Sequence, residues 1–383
     1  MIFVSLLTGL LTCFASESKS LNIRIAKQIA TSDVRAIDLI VETMAGHQEG
    51  EKWKRLPRDV SNSENNSRSS LLISCRTGRV IISNWGKDAA HFTTQVRVHS
   101  PAQMLNWNGK LYRQELIFIP GKQGCDVVNH LDIETYLDGL VNTEFNSKWA
   151  TESVKAQVIV ARTYALYQRD LARKAKRAYD LDSSTDDQVY DGFVKEDFVS
   201  SRAVDQTRGM VIKFNKKLFP TYYHSTCGGM TELPEIVWGT KSPVYKERVK
   251  CSHCESSPKF TWSVSLPVDE LLKKLKFNWA QGVNIQLRTD SASGRVKLVT
   301  LMLGESVLKK LTGVEFRNLI GPDKLFSTHF DLIQSGSNIE FRGGGFGHGV
   351  GMCQWGTKKL GESGKTADEI LKFYYPRAKI SRF

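Results

Sequence analysis

The segment from Thr151 to about Lys174 limits the choice of folds more than any other. Val154, Val158, Ala161 and Ala165 recur there at helical spacing as one apolar stripe, and Thr151 stands where an N-cap belongs. The other face carries Lys155, Gln157 and Arg162 beside Ala156, Ala161 and Ala165. Small residues next to long cations suggest close packing, with Arg162 reaching a neighbouring cleft; a solvated helix face gives the same pattern. A shorter helix precedes it, with Tyr136, Leu137, Leu140 and Val141 at helical spacing from Ile133 to Asn142 and a break at Asn146-Ser147-Lys148.

Upstream the period changes. Asn22–Ala26 and Gly78–Ile82 alternate as strands do, and Leu116–Ile119 is a strand ended by Pro120-Gly121. The polar run Ser61–Ser70 reads as a loop or linker. Strand patterns resume at Met210–Phe214, Thr221–His224, Thr261–Ser265 and across 285–345, with helices at Val268–Leu275 and Thr366–Tyr375. The expectation is an α+β chain: a mixed, β-rich domain with a long central helix over 111–383, preceded by a smaller β-rich region over 16–110.

Composition enters through charge and length. With 383 residues, 41% of them hydrophobic, there is material for one large or two medium cores. The 53 Lys and Arg outnumber 40 Asp and Glu, giving +13, which favours an anionic partner: nucleic acid, acidic lipid or an acidic cell-wall polymer. No stretch reaches the roughly 18 apolar residues of a membrane span. Residues 1–15 read as an export signal, with Ile2–Leu11 apolar and Cys13-Phe14-Ala15 before Ser16. No Lys or Arg precedes Lys19, so a buried first strand is the competing reading. Export would place the chain in the periplasm or cell envelope.

Seven cysteines become six if Cys13 leaves with the signal. Cys75, Cys125 and Cys353 stand apart, whereas His224-x-x-Cys227 is followed by Cys251-x-x-Cys254. That spacing suits a tetrahedral structural zinc held by His224, Cys227, Cys251 and Cys254. His253 competes for the fourth place. A Cys251–Cys254 redox pair and disulfides are the other readings. Four protein ligands leave no position for an activated water, so such a metal is scaffold and catalysis needs no cofactor. The acidic run Asp180–Asp186 lacks the Gly and Glu that a calcium loop requires.

Two further features draw attention. The run Gly343–Gly351 fits neither a dinucleotide fingerprint nor a P-loop, but it holds His348 on a tight turn. Gln354 and Trp355 follow it, an amide and an indole suited to sugars; a glycine-rich packing turn is the plainer reading. Glu144 ends an apolar helix just before Trp149, and apolar surroundings raise a carboxyl's pKa toward that of a general acid.

The series Tyr136-Leu137-x-Gly139-Leu140-Val141-x-x-Glu144, Trp149, Val154-Lys155-Ala156-Gln157-x-x-x-Ala161-Arg162-Thr163-Tyr164-Ala165 resembles the SpoIID/LytB family. The likeness continues through Gln188-Val189-Tyr190, His224–Gly229, Gly347–Gly356 and Ile370–Pro376, so it spans about 110–383. Departures are Cys353 in place of the family's common Ser, and Phe145-Asn146 in place of Met-Pro. The resemblance implies a peptidoglycan lytic transglycosylase with Glu144 as acid/base. Around it, Lys155, Gln157, Arg162, Gln188, Tyr190, Ser225, His348 and Gln354 are expected to orient sugar hydroxyls, N-acetyl groups and lactyl carboxylates. Arg162 could instead hold Glu144 ionised, which would oppose the acid role. The family also includes amidase enhancers, so a glycan-binding helper that acts with a cell-wall amidase is the alternative. A zinc-dependent nucleic-acid binder fits the charge but lacks a compact Cys2His2 module.

Overall fold

The computed structural model describes residues 19–45, 52–57, 69–83, 89–277 and 282–383. The export signal expected at 1–15 and residues 61–68 of the loop expected at Ser61–Ser70 lie outside these residues; Ser69 and Ser70 begin a strand instead. The chain divides into two compact units: residues 1–136 with 181–183, and 137–180 with 184–383. The sequence boundary at 110/111 marks where the resemblance begins.

The first unit is one sheet. Its strands are β1 (Ser20–Ile29), β2 (Thr31–Ala36), β3 (Ile40–Ala45), β4 (Lys52–Arg55), β5 (Ser69–Arg76), β6 (Arg79–Ile82), β7 (Ala90–Phe92), β8 (Val96–Trp107), β9 (Lys110–Gly121) and β10 (Gly124–Asp132). After α1 (Ile133–Glu144) and α2 (Thr151–Lys174), β11 (Leu181–Asp182) returns to pair parallel with β1. The order is β11-β1-β10-β9-β8-β2-β5-β6-β7, with β3 on β8 and β4 on β3. Period-two alternation puts Leu21 and Ile23, Val80 and Ile82, Val96 and Val98, and Leu116 and Phe118 on the buried face. β9 runs through Pro120-Gly121 instead of ending before them.

That sheet closes back on itself. Gly78 N–H donates to the Gly121 carbonyl at 3.0 Å, and Cys75 N–H to that of Ala30 at 2.7 Å. A disulfide joins Cys75 of β5 to Cys125 of β10, strands that are not neighbours in the sheet. The two cysteines that looked solitary in sequence are thus a pair.

The second unit is mixed α+β, as the sequence pattern predicts. α2 begins at Thr151, but the capping position belongs to Ala150, whose side chain has nothing to donate or accept. After β11 come α3 (Phe198–Gln206), β12 (Met210–Lys213), β13 (Tyr223–His224), α4 (Pro234–Trp238), β14 (Thr261–Pro267) and α5 (Val268–Lys274). Then follow β15 (Val283–Thr289), β16 (Val296–Leu303), β17 (Ser306–Thr312), α6 (Gly313–Ile320), β18 (Phe330–Ser335), β19 (Asn338–Gly344) and β20 (Met352–Cys353). The chain closes with α7 (Gln354–Glu362), α8 (Ala367–Tyr374) and β21 (Lys379–Arg382). Among the described residues, no helix is long and apolar enough to cross a membrane.

Two cores organise this unit. One gathers Ala156, Ile159 and Val160 of α2 with Val350, Met352, Ile370 and Tyr374, around four buried cysteines. The other, with Phe316, Phe330 and Phe341 at its centre, joins α5 and α6 to the three-stranded sheets β14-β19-β18 and β15-β16-β17. The acidic run after α2 is used structurally: Asp182 accepts from Arg24 Nε at 2.8 Å, and Asp180 faces Arg173 Nε at 3.7 Å.

Cross-linking residues 50 apart removes loop entropy from the unfolded chain, an effect of about 2–4 kcal/mol. The Cys75→Ala/Cys125→Ala double variant should therefore lose about that much stability in denaturant unfolding. An unchanged midpoint would mean that the hydrogen-bonded closure suffices alone.

Candidate functional site

Glu144 is the last residue of α1 and is partly buried. Helix ends leave backbone carbonyls without partners; here the Gln354 side-chain amide, at the start of α7, donates to the Glu144 carbonyl at 2.8 Å. Gly139 allows this end of the site to close up. A Cβ there would lie 2.7 Å from the Gly192 carbonyl oxygen and 2.8 Å from the Tyr190 ring. Thr143 Oγ1 donates to the Val189 carbonyl at 2.6 Å, which fixes the 188–190 segment alongside the helix.

The carboxyl itself takes two hydrogen bonds. Val189 N–H donates to Oε1 at 2.5 Å, and the Tyr223 hydroxyl supplies the second. Gln188 Nε2 donates to that hydroxyl at 3.0 Å, which leaves the tyrosine proton for the carboxylate. Burial pushes the Glu144 pKa above its ordinary 4.5, outweighing both hydrogen bonds, which pull it down. Among the described residues, no cation is a cause of this shift.

His348 sits beyond Tyr223. Val350 N–H donates to its Nδ1 at 3.0 Å, and the ring also bonds to the Tyr223 backbone. Burial, reinforced by Arg295, depresses its pKa to about 3, so the ring is neutral near pH 7. Gly349 next to it admits Arg295: a Cβ would lie 2.6 Å from the guanidinium. On the Gln354 side, Trp149 packs on Phe145 at 4.6 Å and on Trp355 at 5.2 Å, with Lys358 Nζ 4.7 Å above Trp355.

Of the expected site residues, Gln354 bonds directly to Glu144, whereas Gln188 and His348 join them through Tyr223. Ser225 lies alongside, its carbonyl accepting from Trp355 N–H at 3.1 Å. Tyr190 is buried against Gly139. Lys155 pairs with Glu152 at 2.8 Å, and Gln157 is buried with neither amide atom hydrogen-bonded. Arg162 is wholly buried and donates to the Met210 carbonyl at 3.1 Å and to Thr207 Oγ1 at 3.4 Å. It ties α2 to the α3–β12 connection, and its charge is absent from the forces on Glu144. Tyr223 lies within the strand expected at Thr221–His224, but its role escaped the sequence reading because its partner, Glu144, is far back in the chain.

The cysteines regroup in a way that corrects the expected ligand set. Cys227, Cys251, Cys254 and Cys353 are all buried, with ligand atoms within 4.8 Å of one another. His224 is not among them: its Nδ1 is engaged by the Val350 carbonyl at 3.0 Å, and burial depresses its pKa. His253 packs its ring on Phe373 instead. The fourth thiol, Cys353, arrives from a segment far along the chain.

Its surroundings fit a tetrathiolate metal centre such as structural zinc. Tetrahedral Zn–S bonds of about 2.3 Å place sulfurs roughly 3.8 Å apart, and Cys227 Sγ lies 3.4 Å from Cys254 Sγ. Cys353 Sγ accepts from Cys227 N–H at 3.3 Å and from Gly356 N–H at 3.4 Å. Buried Arg295 donates to the Cys227 carbonyl at 3.0 Å, placing a cation beside the sulfurs. Four thiolates around one divalent ion need such a counter-charge.

Comparison with known proteins identifies the family. The family model SpoIID, described as stage II sporulation protein, matches residues 121–214. An uncharacterized protein of Brachyspira hyodysenteriae (strain ATCC 49526 / WA1) is 35% identical over 271 residues, covering 70% of this chain and 72% of that one. Stage II sporulation protein D of Bacillus subtilis (strain 168) is 29% identical over 274 residues, covering 66% of this chain and 76% of its own. The amidase enhancer of the same strain is 29% identical over 293 residues, which span 64% of this chain but only 40% of the enhancer. The chain belongs to the SpoIID family.

A metal held by the quartet should be retained in His224→Ala and largely lost in Cys353→Ala, as read by elemental analysis of purified protein. The opposite pattern would restore the histidine as ligand.

Proposed function

We propose that this protein is an exported peptidoglycan lytic transglycosylase that cleaves MurNAc–GlcNAc bonds to 1,6-anhydroMurNAc ends, with Glu144 as general acid and base. The observation that carries this reading is the state of Glu144. Its carboxyl is held protonated further up the pH scale than an ordinary glutamate, while two fixed donors stand ready to receive the carboxylate once the proton leaves.

The bond changes balance without water. Glu144 gives its proton to the glycosidic oxygen as the bond from that oxygen to C1 breaks. The sugar's own C6 hydroxyl attacks C1, and its proton passes to the Glu144 carboxylate, which restores the starting state. A second carboxylate at hydrolase spacing is therefore unnecessary. Val189 N–H and the Tyr223 hydroxyl stabilise the transient anion, and Gln188 keeps the tyrosine proton pointed at it. Neutral His348 acts as a hydrogen-bonding wall and leaves the proton transfer to Glu144 alone. Gln354 positions the end of α1, and Trp149 with Trp355 offers indole surface beside it.

The cysteine quartet is proposed to hold zinc as scaffold, supplying no step of the reaction. The +13 charge favours an anionic wall polymer and should do so less as salt rises. The relative named amidase enhancer supports a second reading, in which the same residues bind glycan and assist an amidase without cutting.

Glu144→Gln should lower turnover by about a hundredfold or more while leaving glycan binding nearly intact. The raised pKa also has a sign in stability. The native state holds this proton more tightly than the unfolded chain, so stability falls as pH rises through the Glu144 pKa. Glu144→Gln should then be at least as stable as the parent near pH 7, by thermal unfolding. In the pH–activity profile the alkaline limb should titrate above 4.5; a limb at or below that value would remove Glu144 as the acid.

A further inference from the structure

Resting on the reading of the Glu144 site as a glycan site, we infer that Trp238 is a stacking platform for a pyranose ring of the glycan, supported from beneath by Tyr222 and His348. Trp238 ends α4 and is 43% exposed although two rings pack against it. Its centroid lies 4.5 Å from that of Tyr222, tilted by 36°, and 5.0 Å from that of His348. Tyr222 and His348 also meet, at 6.2 Å. One side of the indole is therefore seated on two rings while much of its surface stays open to solvent.

The seat is rigid. The Tyr222 carbonyl accepts from Met352 N–H at 3.0 Å and from the Tyr375 hydroxyl at 2.6 Å, and its N–H donates to Tyr245 at 3.1 Å. Gly239 ends the short helix in the left-handed region at φ 72°, which stops the chain with the indole in place. An aromatic surface fixed before the ligand arrives loses little freedom on binding. Its connection to the chemistry is direct: Tyr222 is followed by Tyr223, which bonds to Glu144, and His348 bonds to the Tyr223 backbone. The axial C–H face of a pyranose is apolar, and an exposed indole joined to the acid through two residues suits it better than a free apolar group would.

The test measures binding of soluble, peptide-stripped glycan strands to the Glu144→Gln protein by calorimetric titration. Adding Trp238→Ala should weaken binding about tenfold, and Trp238→Phe, which keeps a ring, by no more than about threefold. In the active enzyme Trp238→Ala should raise KM with kcat unchanged within about twofold. Equal binding with and without the indole would overturn the platform and leave the glycan reading standing. Failure of the Glu144→Gln protein itself to bind glycan would overturn both. Intact glycan binding with lost stimulation of an amidase would assign Trp238 to a protein contact and overturn the sugar platform.

Discussion

The end of α1 is held from three directions, and the site is built on that restraint. Gln354 takes the Glu144 carbonyl, Val189 N–H takes one carboxyl oxygen, and Tyr223 approaches the carboxyl with a hydroxyl already oriented by Gln188. These groups come from α7, the segment after β11, and β13, so a single side chain reports the positions of three separated parts of the sequence. Burial outweighs the hydrogen bonds in setting the proton affinity. A carboxyl with donors alone would be a settled anion; one with burial alone would lack a partner when it ionises. The combination makes both protonation states accessible.

Those loops need anchoring of their own, and the cysteine quartet stands where they meet. Cys227 follows β13 after two residues, Cys353 ends β20 and caps α7, and Cys251 and Cys254 form the knuckle between α4 and β14. β13 and β20 pair in parallel, Tyr223 with Met352 and His224 with Cys353. The residue that orients the acid and the residue that caps α7 are thus joined by backbone and sulfur together. Buried Arg295 links this centre to the sheet of β15–β17, and its field helps keep His224 and His348 neutral. A change at Cys353 would reach Glu144 through Gln354, the next residue, without any shared contact.

Local periodicity carried the helices. The stripe of α2 and the spacing in α1 led to the right elements, because each is set by residues three or four apart. Glu144 was legible as a carboxyl at an apolar helix end. What distant segments supply was not legible. The fourth thiol lies about a hundred residues beyond the Cys251 knuckle, so spacing pointed to the nearer His224. The Cys75–Cys125 pair depends on a sheet curling back, which no strand pattern records. Arg162 shows the limit of facial patterns: a cation among alanines looks the same whether it meets a cleft or buried carbonyls, and here it meets carbonyls. Tyr223 and Trp238 gain their meaning only from three-dimensional neighbours.

Whether one glutamate cuts a glycan without water is read most directly from the masses of the products. Purified protein and its Glu144→Gln form would be incubated with intact and with peptide-stripped peptidoglycan, and the released fragments weighed. New 1,6-anhydromuramic ends should be made by the parent and be absent with the variant. Fragments one water heavier would contradict this by revealing hydrolysis and an overlooked second carboxylate. Uncut substrate that is nonetheless bound would contradict it in favour of a glycan-binding helper.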